Sequence, residues 1–126
     1  MNTETTTTNN ARDLIELSLN GPVAVLRLYQ PERLNPLGIP MQMQLRETFA
    51  ELSRNSQISA LIITGAGKAF CVGADLTTID TNDSNQSLGT QVSEAMLTLS
   101  NKLIEDIRAL PFPVVSAVNG ACAGAG

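Results

Sequence analysis

Residues 60–76 read ALIITGAGKAFCVGADL, a continuous apolar run that empties into a turn made almost wholly of small residues. Residues 60–64 have the character of a strand buried on both faces, and Gly65-Ala66-Gly67 closes it. A second stretch repeats the pattern: residues 114–118, VVSAV, suit another buried strand, and Asn119 leads from it into the loop GACAGAG at 120–126. If the two strands are parallel neighbours, both loops leave the same edge of the sheet, which is where open α/β folds hold ligands. Small side chains let a ligand approach backbone N–H groups, and glycine permits the positive φ that turns an N–H outward. The chemistry expected of the pair is the holding of an oxyanion or a phosphate.

Three phosphate and nucleotide motifs test that expectation. A P-loop needs Gly five residues before Gly67 and Ser or Thr after Lys68, but Ile62 and Ala69 stand there. A dinucleotide fingerprint starting at Gly65 fails because Phe70 occupies its third glycine position. Gly120, Gly124 and Gly126 do have the G-x-x-x-G-x-G spacing of short-chain dehydrogenases, so a nicotinamide-dependent oxidoreductase is a rival by pattern. In those enzymes the motif opens the domain, whereas here it closes the chain.

Outward from these loops, Ile15, Leu17 and Leu19 alternate with Glu16 and Ser18, and Asn20-Gly21 separates them from the run 23–28, the pattern of a β-hairpin. Pro31, Pro36, Gly38 and Pro40 break the next stretch before Met41, Leu45, Phe49 and Leu52 recur at helical spacing through about Arg54. Residues 77–91 are polar; then Val92, Met96, Leu99, Leu103, Ile107 and Leu110 step by three or four, which predicts one long amphipathic helix ended by Pro111 and Pro113. Residues 1–13 hold five Thr and three Asn, cannot repay the entropy of ordering, and read as a disordered leader before a folded part at 14–126. A glycine-rich ending straight after a buried strand leaves that strand's faces and edge for later elements to cover, so 14–126 reads as the N-terminal part of a domain incomplete at its C-terminus.

Composition removes other classes. A net charge of −4, 3% aromatic residues and no Trp argue against a groove for nucleic acid. No apolar run approaches the roughly 18 residues of a membrane span, and the N-terminus lacks a signal peptide's basic and apolar regions, so no membrane partner and a cytoplasmic location are expected. Only 16% of residues are charged, below the usual ~25%, which suggests that much of the surface is covered by something else. Cys71 and Cys122 stand 51 positions apart with no His in the chain, so neither a zinc site nor a disulfide framework has support, and no metal is expected. Without His, acid–base work falls to carboxylates or Lys.

The segment KAFCVGADL at 68–76 is similar to the K-A-F-C-x-G-A-D-L signature of the enoyl-CoA hydratase/isomerase (crotonase) superfamily. The resemblance extends to PERLNPL at 31–37 and PVVSAVNGACAGAG at 113–126, in the family's order and spacing. It implies an α/β, crotonase-like (ClpP/crotonase) spiral of β-β-α units, assembled when complete as a homotrimer or a dimer of trimers. It implies an enzyme of fatty acid and acyl-CoA metabolism with no separate cofactor, coenzyme A being part of the small-molecule substrate. The leading expectation is an enoyl-CoA hydratase adding water across a 2-enoyl-CoA through an enolate. The alternatives are an isomerase of enoyl-CoA or ring-derived acyl-CoA, and a non-catalytic acyl-CoA-binding module, because the family's acid–base carboxylates fall beyond residue 126.

By the same resemblance the backbone N–H groups of Ala74 and Ala125 form an oxyanion hole, and Arg33, Leu34, Lys68, Ala69, Cys71, Gly73, Asp75, Leu76 and Gly124 line the substrate site. The physical logic stands apart from the name: a thioester enolate concentrates charge on its oxygen, and two fixed donors in a dry site favour that charge. Simpler roles compete at several positions. Asp75 reads as a helix cap or loop brace, and the two cysteines, with no evident base beside them, as packing residues. Met41, Met43 and Met96 read as gap-fillers in a core or acyl pocket, and Glu94, Glu105 and Asp106 as the wet face of the long helix.

Overall fold

The computed structural model of the chain describes residues 6–8, 14–75 and 87–126. The Asn20-Gly21 signal makes the expected hairpin: β2 (Ile15–Asn20) and β3 (Val23–Leu28) pair antiparallel with Asn20 opposite Val23, across a turn where Gly21 takes φ 56°. A further strand, β1 (Thr6–Thr8), adds outside β2 with Thr7 opposite Ser18. This corrects the leader expectation for those three residues. An edge strand is held through backbone hydrogen bonds, and β-branched threonine suits a pleated surface without any apolar side chain. The rest of the leader lies outside the described residues.

Helix α1 (Ile39–Ser53) begins two residues before the apolar periodicity does, because Pro40 sits in its first turn, where a missing N–H costs nothing. Gly38, in extended conformation, starts it without a side-chain cap; the buried Gln42 instead donates to the Leu37 carbonyl at 3.1 Å. The chain then returns through β4 (Ala60–Gly65), parallel to β3 with Val25 opposite Ile62. A second crossover leads to β6 (Val114–Ala117), parallel to β4 with Ile62 opposite Val115. The sheet order is β1-β2-β3-β4-β6. The two apolar strands are therefore parallel neighbours, and their loops emerge at one edge.

The second crossover is not the single helix that its periodicity predicts. It runs as α2 (Leu88–Ala95), a wide π-turn at Met96–Ser100, and α3 (Asn101–Arg108). A π-turn inserts an extra residue and rotates the face that follows. Ser100 thereby donates to the buried Gln42 of α1 at 3.0 Å, and Leu103 enters the core while Ile104 stays 51% exposed.

Helices α1 and α3 lie on the same side of the sheet. Strand alternation sends Ala24, Leu26, Leu28, Leu61 and Ile63 toward them, against Met41, Leu45, Phe49, Leu52, Leu103 and Leu110. The opposite face is only partly covered among the described residues: Ile62 is half-buried and Val115 is 54% exposed. The expectation of strands buried on both faces is thus met on one face of β4 and not met by β6, whose residues are exposed or half-buried because it forms the edge. Past the ends of β4 and β6, the short strands β5 (Ala69–Cys71) and β7 (Ala121–Cys122) pair parallel in a sheet of their own. The described residues include no helix long and apolar enough to cross a membrane.

Phe49 is 2% exposed at the centre of α1's packing. Phe49→Ala should lower the unfolding free energy by about 3–5 kcal/mol, read from urea denaturation. The ion pair between Arg46 Nε and Asp106 Oδ2 (2.6 Å), which joins α1 to α3, has both side chains about a third exposed. Asp106→Ala should therefore cost less than about 1 kcal/mol in the same measurement.

Candidate functional site

The first turn is shaped by what glycine allows. Gly73 takes φ 95°, and a Cβ there would stand 2.8 Å from the Ala123 carbonyl oxygen and 3.3 Å from the Ala125 nitrogen. Backbone meets backbone here with no room for a side chain between them. A third segment pins the turn from outside: the Leu37 N–H donates to the Gly73 carbonyl at 2.7 Å and Val72 N–H to the Leu34 carbonyl at 3.3 Å. Leu37 and Ala74 form a parallel bridge. With Leu37 bonded to Gly73, the bridge uses the groups flanking Ala74, and the N–H of Ala74 itself faces away from Leu37.

The second turn rests on the first. Ala123 donates its N–H to the Cys71 carbonyl at 3.1 Å, and Gly126 N–H closes back onto the Ala123 carbonyl at 2.8 Å. Gly120 packs directly on the Lys68 carbonyl. The dehydrogenase motif would open a helix in this segment; the glycine spacing opens β7 instead, paired to β5. Among the described backbone hydrogen bonds neither Ala74 nor Ala125 is a donor, and both residues are exposed. An apolar cavity of about 140 Å³ lies beneath Ala125 and Gly126, walled by Leu37, Leu45, Phe70 and Ile104, with Ser116 its one hydroxyl and no carboxylate among its lining residues.

The structure brings most of the expected site residues together. Gly73, Ala74, Gly124 and Ala125 meet where the two turns touch, and Ala69 and Cys71 are buried beneath them in β5. Lys68 is exposed in the first turn, with its carbonyl against Gly120. Leu76 lies outside the described residues, and with it any helix start that Asp75 would cap. Asp75, its side chain 5% exposed, accepts a hydrogen bond from Arg33 Nη2 at 2.9 Å. The brace reading of Asp75 matches this pairing, and it draws Arg33 to the residue that follows Ala74. Leu34 and Asn35 both adopt positive φ, 65° and 55°, a conformation costly for leucine and easier for asparagine. Glu94 is exposed on α2.

Two asparagines carry more of the site than sequence reasoning gave them. Asn35 is fully buried; its Nδ2 faces the carbonyls of Ala66, Ala69 and Phe70 at 3.0, 3.0 and 3.2 Å, and its Oδ1 accepts the Gln30 N–H at 2.8 Å. Asn119 accepts the Gly65 N–H at 3.0 Å and donates toward the carbonyls of Gly67 and Ala69 at 3.1 and 3.3 Å. The available signal was an Asn beside a turn-forming residue in each motif, Asn35 before Pro36 and Asn119 before Gly120.

Cys71 and Cys122, distant in sequence, are cross-strand neighbours in the β5–β7 pair, and both are free thiols. Burial pushes the Cys71 thiol upward, a hydrogen bond from the Gly73 backbone pulls the other way, and Cys122 adds a further upward push. Burial wins, so Cys71 is a poor thiolate and the packing reading suits it. At pH 8 iodoacetamide should alkylate the exposed Cys122 and leave Cys71 unmodified while the chain is folded, as peptide mapping would reveal. The folded chain holds the Cys71 proton to higher pH than the unfolded chain, so stability should fall as pH rises through the thiol range and Cys71→Ser should flatten that slope.

A mixed sheet with its described helices on one face, whose parallel neighbours β4 and β6 each lead into a small-residue turn, has the form of the crotonase-like α/β fold. The sequence profile described as Enoyl-CoA hydratase/isomerase matches residues 18–126. The chain belongs to the enoyl-CoA hydratase/isomerase family. It is 40% identical over 106 residues to the 1,2-epoxyphenylacetyl-CoA isomerase of Escherichia coli (strain K12), covering 82% of this chain and 39% of that protein. It is 32% identical over 111 residues to the short-chain-enoyl-CoA hydratase of Clostridium acetobutylicum, covering 87% of this chain and 40% of the relative. Among solved structures, an enoyl-CoA hydratase/carnithine racemase from Magnetospirillum magneticum superposes with a TM-score of 0.79 at 34% identity, over 94% of this chain and 42% of that one. The chain thus spans about two-fifths of the length of these relatives.

Proposed function

We propose that this chain is the thioester-holding part of an acyl-CoA enzyme, in which the N–H groups of Ala74 and Ala125 bind the substrate's carbonyl oxygen and stabilise the enolate that forms from it. The observation that carries the reading is the contact of the two turns, with the Ala125 nitrogen 3.3 Å from where a Cβ on Gly73 would stand. Backbone donors held by strand ends need little rearrangement as charge develops, and loss of one such donor costs ~10²–10³ in rate in a well-studied case. The apolar cavity beneath Ala125 suits the hydrocarbon end of a short acyl chain, since it offers low dielectric and one hydroxyl. The exposure of Lys68 in the first turn supports a role for it in meeting coenzyme A's phosphates, with no further cofactor or metal invoked.

The leading reaction is hydration of a 2-enoyl-CoA. Attack of water at C3 forms the C3–O bond, releases one of the water's protons and sends the electron pair of the double bond into the thioester enolate, and uptake of one proton at C2 completes the addition. A second reading, isomerisation of a ring-derived acyl-CoA, is favoured by the 40% identity to the E. coli isomerase. Both share the enolate and differ in where carboxylates stand around the acyl carbons. Asp75 is engaged with Arg33, and no carboxylate is among the residues lining the cavity proposed for the acyl group. By the family resemblance those carboxylates fall at positions this chain does not contain. Assembly as a trimer or dimer of trimers and a cytoplasmic place in fatty acid breakdown belong to the same proposal for the complete domain.

Calorimetry with crotonyl-CoA and with NADH tests the assignment: the 126-residue chain should bind the thioester and not the dinucleotide, and binding of NADH alone would overturn it. In a hydration assay at high protein concentration the chain should give no turnover above buffer. Robust turnover would refute the assignment of the acid–base groups to positions outside this chain.

A further inference from the structure

We propose that Asn119 is a positioning residue that fixes the separation of the two amide-bearing turns, with Asn35 also holding the first of their loops; the inference rests on the oxyanion reading above. Asn119 belongs to the second loop, between β6 and β7, yet the described partners of its side chain all belong to β4 and the first loop. Its Oδ1 accepts the Gly65 N–H at 3.0 Å and lies 3.4 Å from the Thr64 hydroxyl, while Nδ2 faces the Gly67 and Ala69 carbonyls at 3.1 and 3.3 Å. A primary amide is the one neutral side-chain group that offers acceptor and paired donors in a single plane. Rotating it by half a turn would set N–H against N–H and oxygen against oxygen, so this arrangement has one orientation.

Asn35 grips the same loop from the segment that precedes α1. Its Nδ2 also reaches the Ala69 carbonyl, at 3.0 Å, so that one oxygen receives two side-chain amides from two different loops. Segment 65–70 is therefore clamped along its length, from Gly65 to Phe70, by the two side-chain amides. β5 carries the clamped segment forward to Gly73 and Ala74, and the backbone from Asn119 runs forward to Ala125. The two side-chain amides thus set the base of a gauge whose tips are the two N–H donors. Donor placement decides how strongly charge on an oxygen is stabilised, and a misplacement of about 1 Å can cost about 100-fold. Asn119 touches neither cavity nor tips, so it acts through spacing alone.

Asn119→Asp keeps the size and the acceptor but sets a carboxylate oxygen against the Gly67 and Ala69 carbonyls, and repulsion should spread the turns. The probe is cinnamoyl-CoA, whose conjugated thioester absorbs at longer wavelength when electron density is drawn to its carbonyl oxygen. The wild-type chain should red-shift the bound probe, N119D should lose more than half of the shift, and its Kd should stay within about tenfold. Leu52→Ala, a core change in α1 at a residue outside the cavity lining, should lower stability and keep the full shift at equal folded fraction. Asn119→Ser, which cannot span the same partners, replaces N119D should the aspartate variant not fold. A full shift in the Asn119 variants would overturn the inference and leave the oxyanion reading standing. A wild-type chain that binds the probe without any shift would overturn the reading itself, and Ala74→Pro, which deletes one donor, separates the cases by abolishing the shift only where the reading is right.

Discussion

The constraint on which the site depends is a backbone-to-backbone contact between two turns that belong to different strands. Gly73 lies against Ala123 and Ala125 so closely that a single methyl group would collide with a carbonyl oxygen 2.8 Å away. That contact exists because β4 and β6 are parallel neighbours and because β5 and β7 continue the pairing beyond the main sheet. The sheet's purpose, physically, is to deliver two loops to one place. Parallel strands separated by a crossover do this without requiring the loops to resemble one another.

Rigidity at such a contact has to come from groups that do not themselves occupy it. In this chain it comes from the side-chain amides of the buried Asn35 and the exposed Asn119 on loop carbonyls, and from the flank, through the Leu37–Ala74 bridge and the Arg33–Asp75 pair. The Arg33 side chain is 40% exposed and its partner 5%. A pair with one end in water is weak as a stabiliser, and its value here lies in directing the carboxylate away from the cavity and toward the loop that precedes α1. The unusual positive φ values at Leu34 and Asn35 belong to the same loop, where the four short contacts of the Asn35 amide hold the backbone in a conformation that leucine would not choose.

The fold is one-sided. Both described crossovers place helices on the same face, and the core forms there; the other face and the β6 edge present Val115 and Val118 at 54% exposure each. The low charged fraction has its counterpart in these surfaces. Apolar strands were legible from residues 60–64 and 114–118, but periodicity describes what a strand is suited to and not what lies against it, so the expected cover on both faces was met only on one.

Much of the chain was legible from local pattern. Alternation and Asn20-Gly21 specified the hairpin, the 3.6-residue spacing from Met41 to Leu52 specified α1, and the small-residue endings of two apolar strands pointed to paired loops, because each of these signals acts between residues near in sequence. Other features belonged to tertiary structure. The break in the second helix, the pairing of Cys71 with Cys122, the Arg33–Asp75 contact and the double grip on the Ala69 carbonyl all join residues 30 or more positions apart or depend on which helix lies alongside. Sequence determined which segments would be strand, helix and glycine turn. Only the folded chain decided which turns meet, since that contact is set by long-range hydrogen bonds whose partners no local pattern names.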